Sequence, residues 1–428
     1  MAAPIRIAKA AARTFLPWKS RRRVYRWLAQ RCIDSLKPRF DRTRSTILLI
    51  NHHYGQDIRA LQLANRDYNL LVVHADQLFR GAKIFFAEEV RRLTAPYPGD
   101  GDEMAVKYRE ECRWMFQRLR ARYGVNVIVT ASDVFYWVRE FIRAAAAQGV
   151  RTVVLDKEGL RSPYGFREEA LRVQRLAPFM SDHIFVWSER QRQFWMRTGV
   201  EEGRITVIGQ PRSDLLFAEN PRSVDALFGE ARPLVTLFSY MDDAYIPPGP
   251  DAGGKRSWRR MKKETHDEFA RLAKEYPQYN FVIKTHPQQP DLEQLRGQYQ
   301  SRNLRVIGGS DVANELLQRS ELVAAFQSTA VLEGLFLGKD LVYTFWDPLL
   351  SDLRAELLPW HEAPGLVVAR SLAEFAEVCR RRLSGDRSRF ELTAESRAAR
   401  DAFVDRFLHR PDGHVCERFF KEIGRFLA

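Results

Sequence analysis

Twelve short apolar runs, each followed by a longer amphipathic or polar segment, restrict the fold of this sequence more than any other feature. Strands that alternate with helices in this way are typical of βα units and a parallel sheet. At 428 residues the chain is too long for one ordinary core, so we expect two domains. The predicted strands lie at 47–50, 70–73, 125–129, 152–155, 184–187 and 205–208, and then at 234–238, 281–284, 304–307, 322–326, 341–345 and 366–368.

A segment rich in glycine, proline and charge, AENPRSVDALFGEARP, separates the two groups of strands and predicts a linker at 218–233. The sequence therefore predicts an α/β protein with two Rossmann-like domains that face a cleft, at 45–217 and 234–386. The pattern of the C-terminal segment 387–428 is helical, and these helices could cross back to the first domain.

Positive charge is concentrated at the N-terminus. Of the net charge of +14, +11 lies in residues 1–44, where basic side chains alternate with aromatic ones such as Trp18 and Trp27. This basic amphipathic segment is suited to an anionic membrane surface. Nucleic acid is a weaker candidate because mixed basic and aromatic residues also fit phosphates and bases, and a solvated helix without a partner is the third interpretation.

Several classes of protein are excluded or disfavoured. No apolar run approaches the roughly 20 residues of a membrane span, and the N-terminus lacks the features of a secretory signal, so we expect a cytoplasmic protein at the inner face of the membrane. Asp242 and Asp243 lack a third ligand at a recognisable spacing, so no metal is predicted. The four cysteines are widely separated and are interpreted as buried thiols: Cys32, Cys112, Cys379 and Cys416.

The segment 322–347, LVAAFQSTAVLEGLFLGKDLVYTFWD, is expected to form a strand, a tight turn, a helix and a second strand. Ser328 and Thr329 fall at the start of the helix, where backbone N–H groups lack partners and negative charge is favoured. These hydroxyls can help to bind a phosphate, and Glu333 one turn later can accept hydrogen bonds from a ribose. An ordinary helix cap with a surface glutamate explains the same residues without a ligand.

Two further motifs precede this segment. In KTHP, at the end of a predicted strand, Lys284 and His286 can face one phosphate charge together, although a single histidine at a strand end is commonly structural. In GQPRSD, Arg212 and Asp214 can form a fixed pair, either at a ligand or at an interdomain hinge.

The order GQPRSDLLF, KTHP and ELLQRSELVAAFQSTAVLEGLFLGKDLVYTF resembles the C-terminal half of bacterial surface-polysaccharide transferases of the GT-B architecture. Within that group the sequence is similar to the CDP-glycerol glycerophosphotransferases of teichoic-acid synthesis and to capsular Kdo transferases. The similarity covers residues 182–347. It differs at 325–329, AFQST, and at 238–241, FSYM, where the glycerophosphotransferases usually have Asp-Tyr-Ser-Ser and Pro-Thr-Trp-Arg.

The resemblance implies that Lys284 and His286 contact the phosphate of a CMP- or CDP-linked donor. It also implies that Ser328 and Thr329 hold the phosphate at the helix start and that Glu333 binds the ribose. Arg212 is included among the donor-binding candidates. No cofactor is expected besides the nucleotide-activated donor itself.

A base for the acceptor hydroxyl is expected at a strand end of the first domain. The positional candidates are His53, Asp57, Asp133, Asp156 and Glu158. We favour Glu158 and His53.

These observations predict a transferase that moves a sugar or a polyol phosphate from a nucleotide-activated donor to a bacterial surface glycan or its lipid-linked precursor. One alternative is a nucleotide-sugar 2-epimerase of the same fold, which acts on a soluble substrate. Another is a non-catalytic protein that binds an anionic surface or nucleic acid.

Overall fold

The computed structural model describes residues 17–36, 40–52, 54–86, 101–157, 160–163, 165–218, 223–244, 246, 256–309, 312–354 and 356–427. Its residues form two compact units. The first contains the described residues up to 157, Arg167–Pro211 and the chain from Cys416 onward, and the second contains residues 160–166 and Arg212–Val415. The chain thus enters the second unit before the predicted linker at 218–233.

The first unit is built on a six-stranded parallel sheet with the order β2-β1-β3-β4-β5-β6. Apolar side chains of its strands, such as Leu48, Ile50 and Ile128, are buried against the helices. Its elements are α1 (Trp18–Ser35), β1 (Thr46–Asn51), α2 (Gly55–Ala64), β2 (Asn69–His74), α3 (Ala75–Ala82), α4 (Glu103–Tyr123), β3 (Val125–Thr130), α5 (Tyr136–Ala146), β4 (Arg151–Leu155), α6 (Phe166–Leu176), β5 (His183–Val186), α7 (Glu189–Arg197) and β6 (Ile205–Val207).

The second unit is built on another six-stranded parallel sheet, with the order β12-β11-β10-β7-β8-β9. Strand residues such as Val235, Ile283 and Ala324 form its core. Its elements are α8 (Ser223–Ala226), β7 (Leu234–Phe238), α9 (Arg259–Glu275), β8 (Asn280–Lys284), α10 (Leu292–Tyr299), β9 (Leu304–Ile307), α11 (Ala313–Arg319), β10 (Ser320–Ala325), α12 (Ala330–Phe336), β11 (Asp340–Thr344), α13 (Leu349–Asp352), β12 (Val367–Ala369), α14 (Leu372–Leu383) and α15 (Ala394–Leu408). The last helix, α16 (Val415–Ile423), belongs to the first unit from Cys416 onward.

The structure confirms all twelve predicted strands; two have the predicted ends, 234–238 and 304–307, and the ends of the others differ by at most two residues. Some strands begin earlier than predicted because a polar residue that precedes the apolar run also pairs in the sheet, as Asn69, Asn280 and Ser320 do. The helical pattern predicted for 387–428 is also confirmed, as α15 and α16.

The basic N-terminal segment is described only in part, and its helix α1 has two different faces. Tyr25, Ala29, Cys32 and Ile33 are buried in the core of the first unit. Arg22 and Arg26 pair with the buried carboxylate of Glu111 on α4, with N–O distances of 2.7 Å each. One face of the helix is therefore part of the fold, and only the opposite face remains for a partner.

Strand order reverses at one position in each sheet, and such a switch point is where ligands bind in open parallel sheets. In the first sheet the switch lies between β1 and β3, and in the second between β7 and β10. A ligand site is therefore expected at the carboxyl ends of these strands.

Candidate functional site

The carboxyl edge of the second sheet brings together three segments that are distant in the sequence. The chain leaves β7 at Ser239, β8 at Thr285 and β10 at Phe326, and β7 lies between the other two strands. Ser239 N–H donates to the carbonyl of Lys284 at 2.8 Å, which extends the pairing of β7 and β8 past the strand ends. The KTHP segment is thus tied to one side of the switch point, and the Ser-Thr turn forms the other side.

Gln327 determines the shape of the turn between β10 and α12. Its φ of 46° is in the left-handed region, which a non-glycine residue adopts only when the surroundings hold it there. Its buried amide donates to the hydroxyl of Tyr343 at 2.6 Å and to the carbonyl of Leu358 at 3.0 Å, and it accepts from Leu358 N–H at 2.8 Å. These three bonds hold the turn in one shape.

Helix α12 begins directly after the predicted Ser-Thr pair, which confirms the helix start. Thr329 is the N-cap residue, and the Ser328 hydroxyl accepts a hydrogen bond from Ala330 N–H at 3.2 Å. Gly338 beyond the helix has a φ of 65°, as expected for a glycine at a helix end. Ser328 therefore has a structural bond already, and its own O–H remains a donor for a ligand.

Lys284 and His286 occupy different surroundings. Because β8 ends at Lys284, the two-residue alternation of a strand does not continue to His286. Lys284 is buried, and its ammonium donates to the carbonyl of Thr285 at 2.6 Å. His286 is exposed, and its Nδ1 accepts from Gln288 N–H at 3.2 Å. A backbone N–H can only donate, so the neutral ring carries its proton on Nε2 and is a donor there.

Arg212 and Glu333, which the sequence placed in separate motifs, form an ion pair. The distance from Nε to Oε1 is 3.2 Å, and the two side chains are 17% and 6% exposed. Asp214 accepts a hydrogen bond from Val415 N–H at 3.1 Å. The arginine thus orients the carboxylate of Glu333, the residue proposed from the sequence to bind a ribose.

The neighbouring residues Asp242 and Asp243 have different environments. Asp242 accepts from Lys262 Nζ at 2.9 Å and from Arg259 Nε at 3.1 Å. Burial raises its pKa, but these two cations outweigh burial, so the pKa lies below the ordinary value. Asp243 is exposed. Among the described residues, no group of three or more His, Cys, Asp or Glu is arranged to hold a metal ion.

Two strands of the first sheet, β3 and β4, are followed by buried carboxylates. Asp133, after β3, accepts from Met180 N–H at 2.8 Å and Ser181 N–H at 2.9 Å, and burial raises its pKa. Asp156, after β4, accepts from the indole N–H of Trp195 at 2.7 Å.

Asp57 on α2 is buried as well. The favoured candidate bases, Glu158 and His53, lie outside the described residues.

Sequence analysis missed three residues that shape the second site: Ser239, Gln289 and the conformationally constrained Gln327. All three lie in loops, and neither the hydrophobic pattern nor a motif distinguishes their polar side chains from other loop residues. The signal that could have found them is the strand order, which identifies the end of β7 as one side of the switch point.

Solved structures with a similar fold include a UDP-N-acetylglucosamine 2-epimerase with 11% identity, which covers 89% of this chain and 95% of that chain at a TM-score of 0.53. MnaA from S. aureus, solved with UDP, has 14% identity, with 90% and 97% covered and a TM-score of 0.51. The UDP-GlcNAc 2-epimerase from Neisseria meningitidis, bound to UDP-GlcNAc, has 13% identity, with 89% and 100% covered and a TM-score of 0.50.

The fold is therefore the two-domain GT-B architecture. No protein-family model matches the sequence, and no curated protein matches it. At these identities the structural similarity establishes the fold alone.

None of the helices in the described part of the chain has the length and apolar composition that a bilayer span requires.

Proposed function

We propose that this protein is a GT-B transferase that moves a sugar or polyol phosphate from a nucleotide-activated donor to a surface glycan or its lipid-linked precursor. The donor's nucleotide binds at the carboxyl edge of the second sheet, with a CMP- or CDP-linked donor favoured by the sequence resemblance. An acceptor site on the first unit supplies the base, for which Glu158 and His53 are the candidates.

One observation supports the proposal: side chains that can donate hydrogen bonds to a phosphate flank the end of β7, a strand at the switch point of the second sheet. His286 follows β8 on one side, Ser328 and Thr329 follow β10 on the other, and β7 lies between these strands. Switch points of open parallel sheets are the usual place for nucleotides. The Arg212–Glu333 pair on the same unit adds an oriented carboxylate for a ribose.

The chemistry follows from what a departing nucleotide requires. When the donor bond breaks, negative charge develops on the leaving phosphate, and fixed donors near that charge lower the barrier. The Nε2–H of His286 and the Ser328 hydroxyl are such donors. A base on the first unit removes the proton of the acceptor hydroxyl as it attacks.

A nucleotide-sugar 2-epimerase is the second candidate function, because proteins with that activity share the fold over about nine tenths of this chain. The two functions differ in their need for an acceptor. An epimerase converts the nucleotide sugar by itself, whereas a transferase releases the nucleotide only when an acceptor or water receives the transferred group.

The first test is a thermal-shift panel of CMP, CDP, UMP, UDP, GDP and ADP with the wild-type protein, His286→Ala and the control His414→Ala. His414 is an exposed histidine directly before α16, and it is distant in the sequence from His286, Ser328 and Thr329. A ligand at 100 times its Kd adds about 2.7 kcal/mol to native stability. Stabilisation by cytidine nucleotides that only His286→Ala loses supports the proposal, and no stabilisation by any nucleotide contradicts it.

Incubation with UDP-GlcNAc alone, followed by NMR of the sugar, distinguishes the two functions. Conversion to the 2-epimer without an acceptor would favour the epimerase over the transferase.

We also propose that the transferase works at the anionic inner face of the cytoplasmic membrane. The outward face of α1 exposes Trp27, which is 57% accessible, and Val24, beside the exposed Arg23 and Arg31. The Arg31 guanidinium lies 4.8 Å from the centre of the Trp27 ring. An interfacial tryptophan beside basic residues suits anionic lipid headgroups.

Vesicle flotation tests this location. We expect binding to vesicles with phosphatidylserine, weaker binding to pure phosphatidylcholine, and loss of binding in Arg23→Glu/Arg31→Glu. The matched control is Arg271→Glu/Lys274→Glu on α9, which has the same charge change on the second unit. Equal flotation of both double variants, or preferential binding to RNA, would contradict the membrane proposal.

A further inference from the structure

The segment 285–291 after β8, which we term the His286 loop, is held from within by Gln289. The buried side chain of Gln289 accepts from His286 N–H at 3.0 Å and donates to the hydroxyl of Ser239 at 3.1 Å. The Gln289 N–H donates to the carbonyl of His286 at 2.9 Å. One amide side chain therefore connects the backbone of His286 to the chain that leaves β7.

A second connection holds the far end of the same loop. Lys262 on α9, whose side chain is 6% exposed, donates from Nζ to Asp291 Oδ2 at 2.7 Å and to Asp242 Oδ1 at 2.9 Å. A buried ammonium is costly unless it is paired, so this side chain favours a single arrangement of its two carboxylates. Asp291 ends the His286 loop, and Asp242 lies four residues after β7.

Both connections lead to the same segment, residues 239–242, which continues from β7 at the switch point. The loop is thereby fixed relative to the strand that lies between its own strand, β8, and β10. Within the loop, Gln288 N–H donates to His286 Nδ1 and selects the tautomer with the proton on Nε2. Both partners of that bond belong to the His286 loop, so the bond forms only while the loop keeps this conformation.

We propose that Gln289 and Lys262 are positioning residues that hold His286 in the Nε2–H tautomer at the switch point. This inference rests on the proposed function, in which that proton is donated to the donor's phosphate. Gln289 sets the backbone of His286 itself, and Lys262 anchors the loop's end. Removing either one should weaken nucleotide binding although neither side chain needs to contact the nucleotide.

The positioning role can be tested without any nucleotide. Protein with ¹⁵N-labelled histidine is examined by NMR at a pH at which His286 is neutral, and its signals are assigned by their loss in His286→Ala. We expect one pure Nε2–H tautomer in the wild type and a mixture of both tautomers in Gln289→Leu and in Lys262→Met. Ser239→Ala, which removes only the outer partner of Gln289, should give a smaller change.

Matched controls separate this effect from general loss of stability. Gln294→Leu on α10 and Lys263→Met on α9 are the same substitutions at exposed positions, and both should keep the wild-type tautomer. An unchanged tautomer in Gln289→Leu and Lys262→Met would overturn the proposal. If Gln289→Leu fails to fold, Ser239→Ala is examined by the same NMR measurement, and an unchanged tautomer in that variant would overturn the role of Gln289.

Nucleotide titration by calorimetry then distinguishes the two proposals. If both are right, Gln289→Leu weakens binding at least tenfold and the controls leave it unchanged. If the wild type binds no nucleotide but the tautomer still depends on Gln289, the positioning inference stands and the proposed function fails. If a variant has a mixture of tautomers but binds the nucleotide as tightly as the wild type, the tautomer of His286 does not matter for binding, and that part of the proposal is overturned.

Discussion

The carboxyl edges of the two sheets differ in the polar groups that follow the strands at and beside their switch points. In the first sheet, β3 and β4 are followed by buried carboxylates that bind neighbouring segments: Asp133 accepts from Met180 and Ser181, and Asp156 accepts from Trp195. The second presents an exposed histidine and a Ser-Thr turn. Two sheets of similar topology can thus present different polar groups, because the loops after the strands supply those groups.

The largest effect is expected at Glu333, on the second edge. If its carboxylate binds a ribose, the wild type should prefer CDP over 2′-deoxy-CDP by about tenfold to a hundredfold, as for hydrogen bonds to charged groups. Glu333→Gln should lose most of that preference. Calorimetric titration measures it, with the exposed Glu293→Gln as control; equal affinity of the wild type for both nucleotides would remove Glu333 from the site.

A second effect tests whether Asp133, on the first edge, is structural. Asp133→Ala leaves two backbone N–H groups without their acceptor, which costs roughly 1–3 kcal/mol of local stability. Hydrogen-exchange mass spectrometry should show faster exchange in residues 178–183. Asp133→Asn retains an acceptor oxygen and serves as the control. Nucleotide affinity should be unchanged in Asp133→Ala, and a loss of affinity would show that the contrast between the edges is too simple.

Acid should weaken both units through one histidine in each. Burial, with nearby arginines, lowers the pKa of His183 to about 4, and burial, with Lys262, lowers the pKa of His266 to about 3 despite the opposing carboxylates of Asp242, Asp267 and Asp291. An unfolded histidine takes up its proton near pH 6.5, so the unfolded state binds more protons between that pH and the folded pKa. Stability is therefore complete above pH 6.5 and falls as the pH decreases.

The maximum slope is about 1.4 kcal/mol per pH unit for each histidine. Hydrogen-exchange protection factors in each unit, obtained by dividing the intrinsic exchange rate at each pH by the observed rate at pH 7, 6 and 5, test this. His183→Phe should flatten the dependence in the first unit and His266→Phe in the second, whereas His414→Phe at an exposed position should do neither. A dependence that persists in His266→Phe would assign it to other groups.

The smallest effect is expected from chelation. Asp242 is engaged by Lys262 and Arg259, so we expect nucleotide-induced stabilisation to be the same with EDTA as without it. Thermal shifts with CDP in EDTA and in added Mg²⁺ or Mn²⁺ provide the measurement. A shift that requires the metal would show that the second edge binds its nucleotide through a cation.

The sequence alone determined the local elements. Apolar runs such as 47–50 became strands because a strand covered on both faces must be apolar throughout, and the glycine after α12 ended that helix because it accepts a positive φ. The sequence also identified the motifs that contain His286, Ser328 and Glu333, since polar residues directly after buried strands are visible in a pattern.

The order of the strands is visible only in the folded protein, and this order places the end of β7 between KTHP and the Ser-Thr turn. The tertiary structure also separated Lys284, which is buried, from His286, and paired Arg212 with Glu333 across more than a hundred residues. The physical reason is the range of the interactions. Strand identity follows from each segment's own burial pattern, whereas strand order and side-chain partners depend on contacts between distant segments, which no local pattern records.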